Sequence, residues 1–331
     1  MDRNDERPGR GEADAGLRVA DRPAVSTPSP PSDYRAAKEN LAHRFRSTAV
    51  IDVEGEDRVA FLQGQLTQDV NALRPGEARP AAGLTPKGKL IFVARVVSLP
   101  DRLRLLLTPA SRVRTVEHLK KYAVFQKVAI NDQSDDFLRI GFYGPAASDL
   151  ATADARFLLL PGEHEFSREV LSPADARGDL DSWLATLGST AVSDETAEVL
   201  RIEAGRPRFG QDAEESHLAD EVGLEEAIST TKGCYVGQEI VARMRTYGRV
   251  NRRLVGFRFP QGAIPAGTIL RRAGQEGEDK IEWGRVTSSA VSPVFGAIGM
   301  GYAFRDLAFG DRLVSAADLT QPAVVSELPF A

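Results

Sequence analysis

The stretch Lys232-Gly233-Cys234-Tyr235-Val236-Gly237-Gln238-Glu239-Ile240-Val241-Ala242-Arg243 holds the only cysteine of a 331-residue chain. Glycine serves where the backbone needs a positive φ or must approach another group closely. Gly233 and Gly237 therefore predict a tight loop that presents Cys234 and then opens a helix, because Gln238 through Met244 are good helix formers. Lys232 and Arg243 are read as placing positive potential near the sulfur, which favours thiolate. A lone cysteine is most often a small buried hydrophobe kept for packing. The Gly, Lys, Gln, Glu and Arg around this one are too polar for a core strand, and the residues alone leave packing and chemistry evenly weighed.

The length allows two or three compact units with a sizeable core. Hydrophobic residues make up 42% and charged residues 27%, an ordinary globular balance, and the net charge of -5 argues against general affinity for nucleic-acid backbone. A single cysteine excludes an intramolecular disulfide and any Cys-only metal site within one chain, and it suits the reducing cytoplasm. No apolar run reaches the length of a membrane span. The P-loop, H-E-x-x-H, C-x-x-C and G-x-S-x-G patterns are all missing, and His43, His118, His164 and His217 lack ligand-like spacing, so no intrinsic metal site is expected.

Residues 1–46 are polar, charged and punctuated by Pro23, Pro28, Pro30 and Pro31, and this composition predicts a disordered tail. Order is expected from Ser47. Thr48–Val53 reads as a strand and Arg58–Gln65 as a helix with Asp57 as its N-cap. Further strands are expected at 81–84, 90–98, 102–107, 127–131, 137–142 and 157–160. Helices are expected at 110–122, 145–153, 180–187 and 195–204, the last closed by Gly205 and Pro207. This mixture without a regular βαβ rhythm predicts an α+β region over 47–249. Short β-like runs at 253–259, 268–271, 281–288 and 296–303 predict a small barrel over 250–331, with a solvated hairpin tip around 271–280.

The stretch from Lys232 to Arg243 resembles the K-G-C-[FY]-x-G-Q-E-x-x-x-R motif of the YgfZ family, folate-binding relatives of the glycine-cleavage T-protein that support iron–sulfur proteins. Every fixed position is met. Phe61-Leu62-Gln63-Gly64-Gln65-Leu66-Thr67-Gln68-Asp69 resembles the family's F-L-Q-G-Q-L-T-[NQ]-D motif, and Arg201, Gly205, Pro207 and Gly210 match its R-x-x-x-G-x-P-x-x-G segment. Leu224-Glu225 stands where relatives carry a Pro-x-Glu element, here without the proline, and Glu225 and Glu226 both stay open as its acid. The resemblance covers nearly everything from Ser47 onward.

It implies a T-protein-like ring of two interleaved α+β parts plus a C-terminal β-barrel around a folate-sized cleft. It makes Gln65, Thr67, Asp69 and Glu225 candidates for contacting tetrahydrofolate or a derivative. It makes Cys234 the working group, set among Lys232, Gly233, Tyr235, Gly237, Gln238, Glu239 and Arg243. The implied function is that of an accessory protein for assembly or repair of iron–sulfur clusters in target proteins, [4Fe–4S] and tRNA-modifying enzymes included. Its partners would be cluster carriers or recipients, with the protein itself a cytoplasmic monomer that binds neither membrane nor, stably, nucleic acid. The alternative is a tetrahydrofolate-dependent one-carbon transferase or demethylase. T-protein enzymes carry an acidic pair shortly after the glycine matching Gly88, whereas Lys89-Leu90-Ile91-Phe92-Val93-Ala94 contains no acid. Val or Phe cannot replace a carboxylate that must act at a cationic amine. Bridging a cluster, forming a mixed disulfide and accepting a one-carbon unit all stay open for the thiol.

Overall fold

Strand β2 (Ala49–Glu54) puts alternate side chains on opposite faces, and both faces are buried. In the computed structural model, which describes residues 29–152, 154–162, 166–246, 250–272 and 282–331, this strand belongs to an antiparallel five-stranded sheet. Its companions are β3 (Ala78–Leu84), β4 (Leu90–Ser98), β5 (Arg102–Leu107) and β6 (Ala129–Asp132), in the order β3-β4-β5-β2-β6. Ile51, Val53, Phe92, Val96 and Leu105 pack beneath helices α2 (Arg58–Gln65) and α3 (Arg112–Tyr122), which contribute Phe61, Leu62 and Leu119. On the opposite face Val50, Val97 and Leu106 meet Leu160 and Leu171 of a second sheet.

That second sheet begins earlier in the chain than the first. Helix α1 (Ser32–Glu39) leads into β1 (Ala42–Arg46), which lies between β7 (Phe137–Tyr143) and the two-residue β10 (Thr190–Ala191). β9 (Arg168–Pro173) and β8 (Leu158–Pro161) complete the order β10-β1-β7-β9-β8. One strand before the first sheet and four after it make the two parts interleaved, as the resemblance implies. Helix α4 (Arg177–Leu187) covers one face through Leu180 and Trp183, against Ile140 and Phe142. Helix α5 (Asp194–Glu203) and α1 pack Leu200, Ala197 and Tyr34 against Tyr143.

The disordered tail expected up to residue 46 is therefore corrected from Ser32 onward. Ala42 is fully buried and Tyr34 is 3% exposed, with its hydroxyl donating to Glu203 at 2.8 Å. The charge of β1 misled because Arg44 and Arg46 line a cavity and pair with Asp194 and the buried Glu169. Residues 1–28 lie outside the described residues, as do His164 and 273–281 of the expected hairpin tip. Two local expectations also change. Asp57 precedes α2 without capping it and accepts from the Lys127 amide at 2.7 Å, while the helix expected over 145–153 is a single 3₁₀ stretch, Pro145–Asp149.

The C-terminal barrel closes through β11 (Arg252–Arg258), β14 (Gly296–Phe304), β13 (Gly284–Ser292), β12 (Ile269–Arg272), β15 (Arg312–Ser315) and β16 (Pro322–Ser326). Pairing of Phe257 with Val325 makes the closure, and closure removes the exposed edges that an open sheet would carry. Val255, Phe257, Leu270, Val286 and Leu313 fill its interior. The last two strands are short and were not legible as strands.

Tyr34→Ala is expected to lower the unfolding free energy by about 3 kcal/mol, the low end for truncating a buried aromatic. Urea denaturation checks this; an unchanged midpoint would return residues 32–46 to a solvated tail.

Candidate functional site

Segments 63–69 and 226–236 lie against one another although some 160 residues separate them. Thr67 Oγ1 donates to the Ala227 carbonyl at 2.6 Å, and Gln68 Nε2 donates to the Glu226 carbonyl at 3.0 Å. The Ser229 amide donates to the Thr67 carbonyl and the Val236 amide to the Gly64 carbonyl, both at 3.0 Å. Lys232 completes the join. Its Nζ donates to the carbonyls of Gln63 at 2.7 Å, Leu66 at 2.6 Å and Gln68 at 2.8 Å. Gln63 lies in the last turn of α2 and Leu66 is its C-cap, so the ammonium serves carbonyls that a helix C-terminus leaves without intrahelical partners.

Lys232 is 9% exposed, and burial lowers its ammonium to about 8, with the negative charge of Asp69 opposing the shift. Its charge is spent on carbonyls at and just beyond the end of α2. The Nζ also lies 5.0 Å from the centre of the Tyr235 ring, which is 8% exposed and whose hydroxyl burial makes harder to ionise. Cys234, between these two anchored side chains, is exposed. Glu239 and Arg243 are exposed on α6 (Gln238–Thr246), whereas Gln238 accepts from the Tyr235 amide at 3.3 Å.

The two motif glycines differ. Gly237 has φ 86°, and a Cβ there would stand 2.6 Å from the Thr85 carbonyl oxygen. Gly88, at the tip of the β3–β4 hairpin, has φ 73° and would clash with Ile240 at 2.8 Å. The hairpin tip and the start of α6 therefore touch through two glycines. Gly233 is exposed with open space around it, and close approach is not the reason for a glycine there.

A cavity of about 550 Å³ opens between the sheets and the loop after α5. Arg201, Arg206, Pro207, Arg208 and Phe209 place the third recognised segment on its wall, and Val222 and Leu224 line it as well. Val93 and Ala94 also line it, so two positions of the acid-free window border the cavity, Val93 on its side of the strand and Ala94 packed into the core beneath α2 and α3. The four expected folate contacts do not line this wall. Thr67 is fully buried, and its hydroxyl both donates to Ala227 and accepts from the Ala82 amide at 2.9 Å, so it holds the fold at this point. Gln65 is 8% exposed with Oε1 unpartnered, Asp69 is half-buried and accepts from Gln63 Nε2 at 3.0 Å, and Glu225 is exposed one residue after Leu224.

Sequence reasoning missed the carboxylates that organise the cavity. Glu169, fully buried, receives Arg95 at 2.6 Å, Arg139 at 2.8 Å, and Arg46. Asp212, 1% exposed, receives Arg201 at 2.6 Å, Ser288 Oγ at 2.6 Å and Thr287 Oγ1 at 2.5 Å, tying the cavity to the barrel. Neither residue sits in a pattern that marks it as buried. Among the described residues no group of three or more His, Cys, Asp or Glu side chains is placed to hold a metal ion, and no helix is long and apolar enough to cross a membrane.

This architecture is that of an aminomethyltransferase fold. The glycine cleavage system aminomethyltransferase T from Bartonella henselae superposes with a TM-score of 0.80 over 90% of this chain and 88% of its own, at 21% identity. No protein-family model matches the chain. The tRNA-modifying protein YgfZ of Edwardsiella ictaluri is 30% identical over 246 residues, covering 65% of this chain and 70% of that protein. The protein of that name from Yersinia pestis (strain Pestoides F) is 30% identical over 265 residues, 71% of this chain and 73% of its own. The chain belongs to the YgfZ family.

Lys232→Met is expected to strand three carbonyls and to lower stability by about 3 kcal/mol, summing modest losses per lost acceptor partner. Arginine should rescue poorly, because a planar fork does not match three carbonyls converging on one point. Between about 8 and the ordinary value of 10.5 the unfolded chain holds a proton that the folded chain lacks, so this residue's contribution to stability rises with pH. The stability difference between wild type and Lys232→Met should widen from about pH 7 to about pH 10. Denaturant titrations at a series of pH values test this, and a narrowing difference would refute it.

Proposed function

We propose that this protein is a folate-binding accessory factor for the assembly or repair of iron–sulfur clusters in target proteins, tRNA-modifying [4Fe–4S] enzymes included, and that Cys234 is its working group. The observation that carries this reading is an exposed thiol on a loop whose two flanking side chains, Lys232 and Tyr235, are both buried. Anchoring on either side holds the sulfur outward in one place, which suits a group that meets a partner and does not suit one kept for packing. The names of the YgfZ relatives connect the family with tRNA modification, and enzymes that modify tRNA with iron–sulfur clusters supply the link.

The reading places tetrahydrofolate or a derivative in the 550 Å³ cavity, a volume within the usual range for small-molecule sites. Gln65, Asp69 and Glu225 lie off the wall of this cavity and would be reached only by a ligand that extends beyond it. The cluster is cargo in this scheme, and soft thiolate sulfur suits it. Carriers or recipients of clusters in the cytoplasm are the partners, and the protein acts as a monomer. A tetrahydrofolate-dependent transferase finds less support. Such chemistry needs a group to take a proton from a cationic amine, yet the one carboxylate among the described residues of the cavity wall, Asp194, is 87% exposed and paired with Arg44 at 2.7 Å.

Cys234→Ser keeps the shape of the loop and removes the soft, nucleophilic sulfur. In a strain lacking its own family member, wild type should restore the activity of a [4Fe–4S] enzyme and the Ser variant should not, at equal protein level and unchanged melting temperature. In the folded protein, iodoacetamide should alkylate the exposed thiol readily. A Ser variant that complements fully would leave the protein as a folate-binding scaffold.

A further inference from the structure

We infer that a second, smaller cavity, on another face of α5 from the first, binds a small organic ammonium ion with an apolar body, and that Glu203 is its counter-ion. The inference stands apart from the folate and thiol readings above. This cavity has a volume of about 250 Å³ and lies among α1, α5, the turn between β13 and β14, and residues 329–330. Leu200 and Glu203 of α5 and its C-cap Ala204 line it at the spacing of one helix face, whereas Arg201 of the same helix lines the first cavity.

Four carboxylates are buried among the described residues, and Glu203 is held unlike the other three. Asp52, Glu169 and Asp212 each receive a hydrogen bond from an arginine that is itself less than a tenth exposed. Glu203 is 3% exposed, and its Oε1 accepts from the Tyr34 hydroxyl at 2.8 Å and from Ser292 Oγ at 2.7 Å. Its Oε2 is shielded from solvent and receives no hydrogen bond. The cation against it is Lys38, whose Nζ stands 2.6 Å away on a side chain 45% exposed. A half-exposed lysine is free to swing into water, so this buried carboxylate has an exchangeable counter-ion where the others have fixed ones.

The surroundings suit a replacement. Tyr143, Phe295 and Phe330 put three aromatic side chains on the wall, and Leu200 and Pro329 add aliphatic surface. Aromatic faces attract cations, and a carboxylate set among aromatic rings is an arrangement that recognises organic ammonium groups. Lys38 already shows the chemistry, because its Nζ lies 5.6 Å from the centre of the Tyr34 ring as well as against Glu203. It is the chain's own counterpart of the ligand, but its stem belongs to α1 and does not fill the cavity beside it. An ammonium carried on an apolar body would occupy that space and bury its hydrocarbon against the rings.

Calorimetry on the full chain at neutral pH tests this, with 2-phenylethylammonium chloride as the probe and 2-phenylethanol as its uncharged match. The ammonium should bind saturably, and the alcohol about tenfold more weakly, as the loss of one charged hydrogen bond predicts. Lys38→Ala should tighten ammonium binding about tenfold, because the fraction of molecules with Glu203 open to a ligand rises toward one. The same probe should raise the melting temperature of Lys38→Ala more than that of wild type. Glu203→Gln keeps an acceptor for Tyr34 and Ser292 and should lose the preference for ammonium over alcohol. If that variant misfolds, the two probes on wild type and Lys38→Ala decide alone. Equal binding of the two probes overturns the inference, and so does ammonium binding to Lys38→Ala that is absent or no tighter than to wild type.

Discussion

An ammonium group taken out of water must find acceptors in the protein, and Lys232 finds three backbone carbonyls at the end of α2. The arrangement acts as a helix C-cap supplied from 164 to 169 residues away in the chain. It fixes where α2 stops, where the turn through Thr67 and Gln68 runs, and where the cysteine loop begins. A compact tetrahedral donor suits three converging carbonyls, and the planar fork of arginine does not. The lysine therefore opens the motif for a reason of geometry, and the exposure of the neighbouring cysteine follows from it. With residue 232 held inward and Tyr235 buried, the residues between them are left on the outside.

Elsewhere the same economy of buried charge recurs with the signs exchanged. Asp52, Glu169 and Asp212 are buried carboxylates, and each receives arginine from another element, Asp52 and Glu169 from ones distant in sequence. Breaking one partner of such a cluster leaves an uncompensated charge in a poorly solvated place, whereas the intact cluster adds little net stability. Their effect is on arrangement. Glu169 gathers β1, β4 and β7 of two different sheets, and Asp212 joins α5 to β13 of the barrel. The interior between the three parts thus carries buried ion clusters beside its apolar contacts, and the cavity inherits arginine-rich walls as a consequence of how the parts are joined.

Much of the fold was legible because strands such as β4 and β5 are long, apolar and bounded by Pro-Lys-Gly-Lys and Leu-Pro-Asp turns, while α2 carries a helical apolar period. β1 was not, since its alternation is of apolar residues with arginines, and an arginine facing a cavity looks the same in sequence as one facing solvent. β15 and β16 are four and five residues long and gain their stability from barrel closure, which no local signal announces. The motif residues were found, yet their division of labour was hidden. Thr67 and Lys232 hold the two motifs together, and that role depends on contacts across the chain which spacing within each motif cannot reveal.

The placement of the thiol against the cavity constrains the chemistry further. Val93 and Ala94 line the cavity, and the tip of the same β3–β4 hairpin touches the loop and helix that carry Cys234, through Gly88 against Ile240 and Gly237 against Thr85. Cys234 itself is not on the cavity wall. Direct transfer of a one-carbon unit to the sulfur requires the reacting atoms within about 3.5 Å, so it requires the ligand to extend past the hairpin tip or the loop to fold inward. The loop is anchored at Lys232 and Tyr235, and inward movement would break the three carbonyl contacts that define it. Handling of a cluster or a mixed disulfide needs no such approach, because the partner comes from outside to an exposed sulfur. Any influence of a bound ligand on the thiol then has a short physical route, along one hairpin whose middle forms the wall and whose tip supports the loop.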